Sequence, residues 1–245
     1  MKLFRLMLLG ALIAFFAPVA LRAAIYWAQG DDSHWSRADW SSTGALPHPQ
    51  AHEPAMVRIY SSRVGRWRGI FATHSWIVVK ERGAAGYQRF DKVGWGTPIR
   101  INGYAPDGRW FGNDIESVFA ADGEEAERLI PRIRAAVDAY AYRNRGDYSA
   151  WPGPNSNTFV ASVLAAVPEA GAALPPTAIG KDFPANGDWF GFAPSRTGVR
   201  VTLGGYFGAT VAWVEGIELN LLGLVAGLDL RRPGVKIPGY GRFGL

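Results

Sequence analysis

Two side chains of this sequence could act together as a nucleophile and its base. Ser156 lies in the string Trp-Pro-Gly-Pro-Asn-Ser-Asn-Thr-Phe at residues 151–159, directly before an apolar helical segment. Backbone N–H groups at a helix start favour developing negative charge, so a serine there has an oxyanion site beside it. His74 lies in an earlier apolar run with strand character. A serine hydroxyl needs a base to become nucleophilic, so this pair predicts acyl chemistry if the two side chains meet.

The residues around this pair complete a predicted ligand site. Asn155, Asn157 and Trp151 flank the serine, and Trp76 is the neighbour of the histidine in strand phase. We expect these four side chains to contact a substrate. A structural interpretation carries about equal weight, because a serine or asparagine at this point is also an ordinary helix N-cap and a strand histidine is often a satisfied core residue.

The residue types exclude several other kinds of site. The chain has no cysteine, which excludes disulfides, thiolate catalysis and cysteine metal sites. His34, His48 and His52 lie in one segment, but their spacing fits neither a helix face nor a zinc finger, so we predict no metal and no cofactor. Three further polar pairs, predicted as turns or surface ion pairs, are Asp107 with Arg109, Lys181 with Asp182, and Glu215 with Glu218.

The N-terminus has the pattern of an export signal or a membrane anchor. Lys2 and Arg5 precede an uncharged run at residues 6–21, and apolar residues resume after Arg22. A small-x-small cleavage motif is poorly supplied, so residues 1–27 predict an uncleaved inner-membrane anchor; the alternative is a cleaved signal and a secreted or periplasmic protein. Positive residues keep the N-terminal end in the cytoplasm, which predicts a periplasmic domain.

The distribution of charge restricts the partners. The net charge is +5, but basic residues beside the first apolar run account for most of it, and the rest of the chain is nearly neutral. Nucleic-acid binding needs a clustered basic face, which the sequence does not show. The predicted partners are therefore the membrane and a peptidoglycan or lipid ligand, with no nucleic acid.

The remaining chain predicts an extended linker at residues 28–54 and a single α+β domain at residues 55–245. Alternating and β-branched runs predict adjacent antiparallel strands, and apolar residues at helical spacing predict helices. A capping-box pattern at Asp122–Glu125 opens the first of these helices, and the last strand-like run is expected to be buried. Strand patterns cover residues 55–60, 69–79, 87–93, 199–203, 209–214 and 217–230; helical patterns cover residues 123–142 and 158–167.

Several strings resemble an uncharacterised bacterial family, the domain of unknown function 3750. The most specific string is Gly-Pro-Asn-Ser-Asn-Thr-Phe at residues 153–159, and the resemblance spans nearly the whole domain. It implies no activity, because that family has none established. The strings lie at residues 35–40, 74–80, 93–95, 151–159, 178–183, 215–220 and 241–244.

The order of elements is also similar to circularly permuted papain-like proteins of the NlpC and lecithin retinol acyltransferase type. In these proteins a strand histidine precedes Asn-nucleophile-x-x-Phe at the start of a buried helix. The resemblance implies a permuted papain-like core with an antiparallel sheet and a buried helix. By position it makes His74 the base, Ser156 the counterpart of the catalytic cysteine and Phe159 the helix anchor, with Asn155 before the nucleophile.

The same resemblance implies a third polar residue on the next strand. Arg89 and Asp91 are available there, and a carboxylate is the better choice to orient an imidazole, so Asp91 is predicted. Serine in place of cysteine is a departure from the family pattern. A hydroxyl is far less acidic than a thiol and demands full base catalysis.

Three functions follow as expectations. The first is an envelope-anchored hydrolase or acyl transferase that acts on an amide or ester of the cell envelope, with Ser156, His74 and Asp91 as nucleophile, base and orienting group. The second is a non-catalytic envelope protein that binds peptidoglycan peptide or lipid in the same cleft. The third is a membrane-proximal module that packs against a partner through its aromatic surface.

Overall fold

Short antiparallel strands and a few helices make up the fold. The computed structural model describes residues 2–30 and 36–244, so His34 and Trp35 lie outside the described residues. The helices are α1 (Lys2–Gln29), α2 (Gly123–Asp138) and α3 (Ser156–Ala166). The strands are β1 (Met56–Arg63), β2 (Thr73–Lys80), β3 (Gln88–Lys92), β4 (Ile99–Ile101), β5 (Ile115–Asp122), β6 (Phe190–Phe192), β7 (Gly198–Leu203), β8 (Phe207–Ala212), β9 (Gly216–Leu221), β10 (Leu224–Asp229), β11 (Gly234–Ile237) and β12 (Gly241–Gly244).

The first sheet has the strand order β4-β3-β2-β1-β5, with β2 at its centre and buried along its whole length. One face packs on α2 and α3 through a core that includes Ile77, Val79 and the fully buried Phe159. The opposite face carries Trp76 and Val78. Because β2 is covered on both faces, it reads as a nearly continuous apolar run. The predicted antiparallel pairing of β1, β2 and β3 is confirmed.

Residues 36–54, from the predicted linker, cover the second face of this sheet. The amide of Arg109 donates to Ser41 O, and a β-bridge joins Ser42 to Gly108. The Trp40 ring packs edge-on against Trp110, with 5.1 Å between ring centroids. This segment therefore shields the side of β2 on which His74 lies.

Three local predictions for the first sheet and its helix were wrong. Residues 66–70 form a 3₁₀ turn, so β2 starts at Thr73 and not at Gly69. The capping box at Asp122 does not form, because the Asp122 carboxylate is held by Arg58 at 2.9 and 3.0 Å. Helix α2 ends at Asp138, four residues early, and Tyr140 instead packs edge-on against Phe159.

The second sheet has the strand order β12-β11-β10-β9-β8-β7-β6. Apolar side chains lie on its exposed face, and charged side chains lie on its inward face. Residues 217–230 form two strands around a turn at residues 222–223. Val225 is buried, but Ile217, Leu219 and Leu228 are exposed, which corrects the expectation of burial for these three side chains. One line of directly paired residues crosses the exposed face of this sheet, and we call it the apolar row. It consists of Phe192, Val199, Val211, Ile217, Leu228, Val235 and Phe243. The adjacent row on the inward face is Arg200, Thr210, Glu218, Gly227, Lys236 and Arg242.

A buried ion cluster holds this inward face. Lys181 binds Asp182 at 3.0 Å and Glu218 at 2.5 Å, and Lys236 also binds Glu218. All four side chains are buried, which corrects the prediction of turns or surface ion pairs for Lys181, Asp182 and Glu218. Burial alone lowers the pKa of a lysine, but the two carboxylates outweigh it and raise the pKa of Lys181. The charges inside this sheet are therefore paired.

Helix α1 is long and apolar enough to cross a membrane or to act as a signal sequence, with a candidate span at Leu9–Gln29. It packs against the domain along its middle, where Phe15 is buried, Val19 contacts the turn at Gly239 and the Arg22 guanidinium lies over the Tyr240 ring. This helix is thus part of the folded structure.

The core contact between α3 and the first sheet can be tested with a buried and an exposed apolar residue. Phe159→Ala should lower the free energy of unfolding by about 3–5 kcal/mol, because it leaves a cavity in a fully buried site. Ile101→Ala, on β4 at a residue that is 55% exposed, should change it by less than about 0.5 kcal/mol. Denaturant unfolding of the detergent-solubilised protein measures both; equal losses would contradict the core assignment.

Candidate active site

His74, Asp91 and Arg89 form a buried hydrogen-bonded group, which we call the charge relay. His74 Nε2 lies 2.8 Å from Asp91 Oδ1, and both side chains are almost fully buried. Arg89 holds the same carboxylate with two bonds, from Nε at 2.7 Å and Nη2 at 2.8 Å. The guanidinium lies over Trp76, 4.1 Å from the ring centroid. The predicted partnership of His74 with Asp91 is therefore present, and Arg89 is a third member.

The protonation of this group follows from its contacts. Burial lowers the pKa of His74, against the opposing effect of Asp91, so the imidazole is neutral near pH 7. Burial alone would raise the pKa of Asp91, but bonds from His74 and Arg89 outweigh it and hold that pKa low. An ionised carboxylate accepts the Nε2–H, which leaves Nδ1 without a proton. Nδ1 is thus the nitrogen that can accept one.

Helix α3 begins with an ordinary capping box. Asn155 Oδ1 accepts the N–H groups of Asn157 at 2.9 Å and Thr158 at 3.1 Å, and the Thr158 hydroxyl accepts the Asn155 N–H. Asn155 Nδ2 donates to Ile179 O at 2.9 Å. These contacts leave the amide of Ser156, the first helical residue, as the N–H that the cap does not use.

Asn157 connects the start of α3 to the start of β2. Its Nδ2 donates to Thr73 O and to Ile179 O, both at 2.8 Å. Thr73 immediately precedes His74, and Asn157 immediately follows Ser156. The bridge therefore holds the two candidate catalytic residues at the same end of the sheet.

A cavity of about 560 Å³ opens at this end of β2. His74, Ser156, Asn155, Asn157 and Trp151 all line it. Most of its wall is apolar, and part of that wall comes from Phe16 and Val19 of α1. The cavity thus joins the predicted polar residues to the apolar N-terminal helix.

Two polar atoms in the wall of this cavity have no hydrogen-bond partner among the described residues. They are Thr73 Oγ1, a donor, and Asn157 Oδ1, an acceptor, and both residues are more than nine-tenths buried. Leaving a buried polar atom unpaired costs about 1–3 kcal/mol.

His74 and Ser156 share the cavity but are not joined by a hydrogen bond among the described residues. His74 lies on the face of β2 that carries Trp76, whereas α3 packs on the other face. Burial raises the pKa of Tyr148, and the nearby Ser156 hydroxyl opposes this rise. The structure therefore brings base and serine together without completing a nucleophile–base pair.

The other predicted contact residues divide into two groups. Trp151 is half-exposed at the cavity, where its Nε1 donates to Leu222 O at 2.8 Å. Trp76 is fully buried behind His74, and its Nε1 donates to Pro106 O, so it supports Arg89 and does not line the cavity. Asp91 also lies behind the histidine, in the position of an orienting group.

Sequence reasoning missed several residues of the site. The Trp110 ring stacks on His74, with 3.7 Å between ring centroids and 8° between the planes. Tyr148 and Lys92 line the cavity, and burial lowers the pKa of Lys92. Trp110 and Tyr148 lie in segments without periodicity, and no spacing pattern points to them. Lys92 directly follows Asp91 on β3. This position beside a predicted site residue was the sequence signal that could have identified Lys92.

Comparisons with known proteins identify one family. The family model described as "Protein of unknown function (DUF3750)" matches residues 54–183, a little over half of the chain. This range contains β1 to β5, α2, α3 and every predicted site residue. No curated protein and no solved structure matches the chain.

The charge relay can be tested through stability. Asp91→Asn should lower the free energy of unfolding by about 3–5 kcal/mol, because the buried Arg89 guanidinium loses its counter-charge. Asp188→Asn, at an exposed carboxylate, should change it by less than about 0.5 kcal/mol. Denaturant unfolding of both variants gives the comparison, and a neutral effect of Asp91→Asn would show that the relay is not structural.

Proposed function

We propose that this protein is a membrane-anchored hydrolase or acyl transferase. The chain belongs to the DUF3750 family of proteins of unknown function. Its substrate would be an amide or ester of the cell envelope that carries an acyl chain. The single observation that carries this proposal is the cavity shared by Ser156 and the Asp91-bound His74.

The chemistry proposed for this site is base-assisted acyl transfer. His74 Nδ1 takes the proton of Ser156 Oγ, and the oxygen attacks the substrate carbonyl carbon. The negative charge on the carbonyl oxygen develops beside the unused Ser156 N–H at the helix start. Asp91 stabilises the imidazolium that forms. The His74 proton then goes to the leaving amine or alcohol, and water or an acceptor alcohol or amine releases the acyl group from the serine.

The proposed arrangement requires His74 and Ser156, which line one cavity, to come within hydrogen-bond reach when substrate binds. A serine side chain has three staggered rotamers. Hydrogen bonds of catalytic groups are often long or absent without substrate and tighten in the complex.

The lining of the cavity favours a particular kind of substrate. Apolar walls that include Phe16 and Val19 suit an acyl chain.

The proposed location is the inner membrane, with the domain in the periplasm. Basic residues at the N-terminal end of α1 support this orientation. Retention of α1 as an anchor, against cleavage as a signal, is supported by its buried Phe15 and by its share of the cavity wall. A permuted papain-like core is part of this proposal, and it is supported by the shared cavity that His74 and Ser156 line.

A second candidate function is non-catalytic binding of a lipid or peptidoglycan peptide in the same cavity. The observation that favours it is that no hydrogen bond joins Ser156 to His74 among the described residues, and that α3 packs on the face of β2 opposite to His74. In this case the buried relay would be purely structural. The same experiment separates the two candidates.

Labelling with an alkyl fluorophosphonate tests the catalytic proposal. We expect an adduct on Ser156, and His74→Ala should slow its formation by about a hundredfold or more, since the base is lost. His48→Ala, at an exposed histidine, is the matched control and should label at the wild-type rate. Mass spectrometry of the peptide that contains Ser156 measures the adduct.

The labelling result also decides between the two candidates. Absence of the adduct, under conditions that label a known serine hydrolase, would overturn the catalytic proposal. Retained binding of a fluorescent fatty acid by that unlabelled protein would then support the binding function. Loss of both activities in the correctly folded protein would contradict both proposals.

The pH dependence of labelling identifies the base. Because burial lowers the pKa of His74 below its ordinary value of 6.5, the reactive neutral imidazole persists to lower pH. The labelling rate should rise with pH and reach half of its plateau below pH 6.5. If Tyr148 were the base, the rise would lie above pH 10, because burial raises the pKa of that phenol. A half-plateau at or above pH 6.5 would contradict a role for buried His74.

A further inference from the structure

The exposed face of the second sheet has the composition of a surface that contacts hydrocarbon. The apolar row crosses all the strands of this sheet and contains no charged residue. The next row on the same face pairs Phe190 with Val201 and Ala209 with Leu219. Phe190 is 70% exposed and Leu219 is 55% exposed. An antiparallel sheet with one solvated face normally places its polar residues outside, and this sheet does the opposite.

The size of this surface matters. Six strand spacings and an average of five residues per strand give a face of roughly 29 Å by 17 Å, or about 490 Å². Soluble monomers rarely expose continuous apolar patches above a few hundred Å². Glu218 and Lys236 are buried as a pair on the inward face. Both faces of this sheet therefore differ from those of an ordinary soluble sheet, which has apolar residues inside and polar residues outside.

Helix α1 places the neighbouring part of the domain at membrane depth. The candidate span is Leu9–Gln29, and the domain contacts it at Phe15 and Val19. Val19 is ten residues from the Gln29 end, or about 15 Å along the helix axis, which is half of a hydrocarbon core of about 30 Å. Strand β10 also packs against α1, so the second sheet lies beside the span.

The turns at the two ends of the second sheet differ in charge. Three turns lie at the end next to α1, at residues 204–206, 222–223 and 238–240, and none contains a charged residue. The turns at the opposite end contain Arg196, Arg231 and Arg232, together with the exposed Trp213. Arginine and tryptophan are typical of the headgroup region. Depth in the membrane would therefore decrease along the strands, away from α1.

We propose that the exposed apolar face of the β6–β12 sheet is inserted into the hydrocarbon of the leaflet on the domain side of the membrane that α1 crosses. The uncharged turns lie deepest, and the turns with Arg231 and Trp213 lie at the headgroups. This inference rests on anchoring by α1, which is part of the proposed function, and is independent of catalysis. It also places the mouth of the cavity, beside Phe16 and Val19, where an acyl chain can enter from the bilayer.

Single-cysteine labelling of the full-length protein tests the insertion, since the natural chain has no cysteine. Leu219→Cys and Val211→Cys carry an environment-sensitive fluorophore on the apolar face. Leu9→Cys reports on the span, and Arg128→Cys, on an exposed part of α2, is the soluble control. The proteins are reconstituted into phosphatidylethanolamine–phosphatidylglycerol vesicles, with or without doxyl-labelled phosphatidylcholine, and quenching by the doxyl lipid is compared with quenching by aqueous iodide.

We expect the labels at Leu219 and Val211 to emit at shorter wavelength than the label at Arg128. Doxyl lipid should quench them several-fold more, and iodide several-fold less. Iodide access equal to that at Arg128 would overturn the insertion. Protection from both quenchers would also overturn it, in favour of a protein partner or second copy on this face. If the label at Leu9 is itself open to iodide, anchoring by α1 fails; if only the Leu219 and Val211 labels are open, anchoring stands and the insertion fails.

Discussion

The side-chain amide of Asn157 is the contact on which the candidate site depends. It ties the Thr73 carbonyl, at the start of β2, to the Ile179 carbonyl and to the first turn of α3. His74 and Ser156 are the sequence neighbours of the residues it joins, so their separation is set by two hydrogen bonds of 2.8 Å. Without this amide two buried carbonyls would lose a donor, and the two elements would lose their common reference point.

The relay of His74, Asp91 and Arg89 is built onto the other side of the same strand. A buried carboxylate is costly unless it is paired, and here it receives bonds from both neighbours. Trp76 and Trp110 enclose the group and exclude water. The arrangement fixes one imidazole nitrogen and leaves the other for the cavity, which serves a catalytic base and a rigid binding wall equally well.

The second sheet follows a different rule from the first. Its charged side chains pair with one another inside, through Lys181, Glu218 and Lys236, and its apolar side chains remain outside. The turn at Leu222 joins this sheet to the cavity through the bond from Trp151. Helix α1, the second sheet and the acyl-sized cavity therefore lie beside one another, and insertion of the first two into a bilayer would give the third direct access to lipid.

Much of the local structure could be predicted from residue patterns. The strands around His74, the buried helix after Ser156 and the apolar N-terminal helix are all confirmed, because their periodicity and composition reflect contacts with near neighbours in the chain. The partnership of His74 with Asp91 could be proposed because the resemblance to permuted papain-like proteins implies a polar residue on the next strand, where a carboxylate suits an imidazole. Strand patterns could not show which face of the second sheet is solvated, since alternation is the same for either choice.

The sequence by itself determined which residue types are available at the site, an apolar anchor-like helix and the DUF3750 motifs that establish membership of the family. Only the tertiary structure decided that Tyr148 lines the cavity with Ser156, that Trp110 stacks on His74, that Trp76 lies behind the cavity, and that Lys181 is buried in an ion cluster. These contacts join residues far apart in the chain or in segments without periodicity. Their formation depends on how sheets, loops and helix starts pack together, and local sequence patterns do not encode that packing.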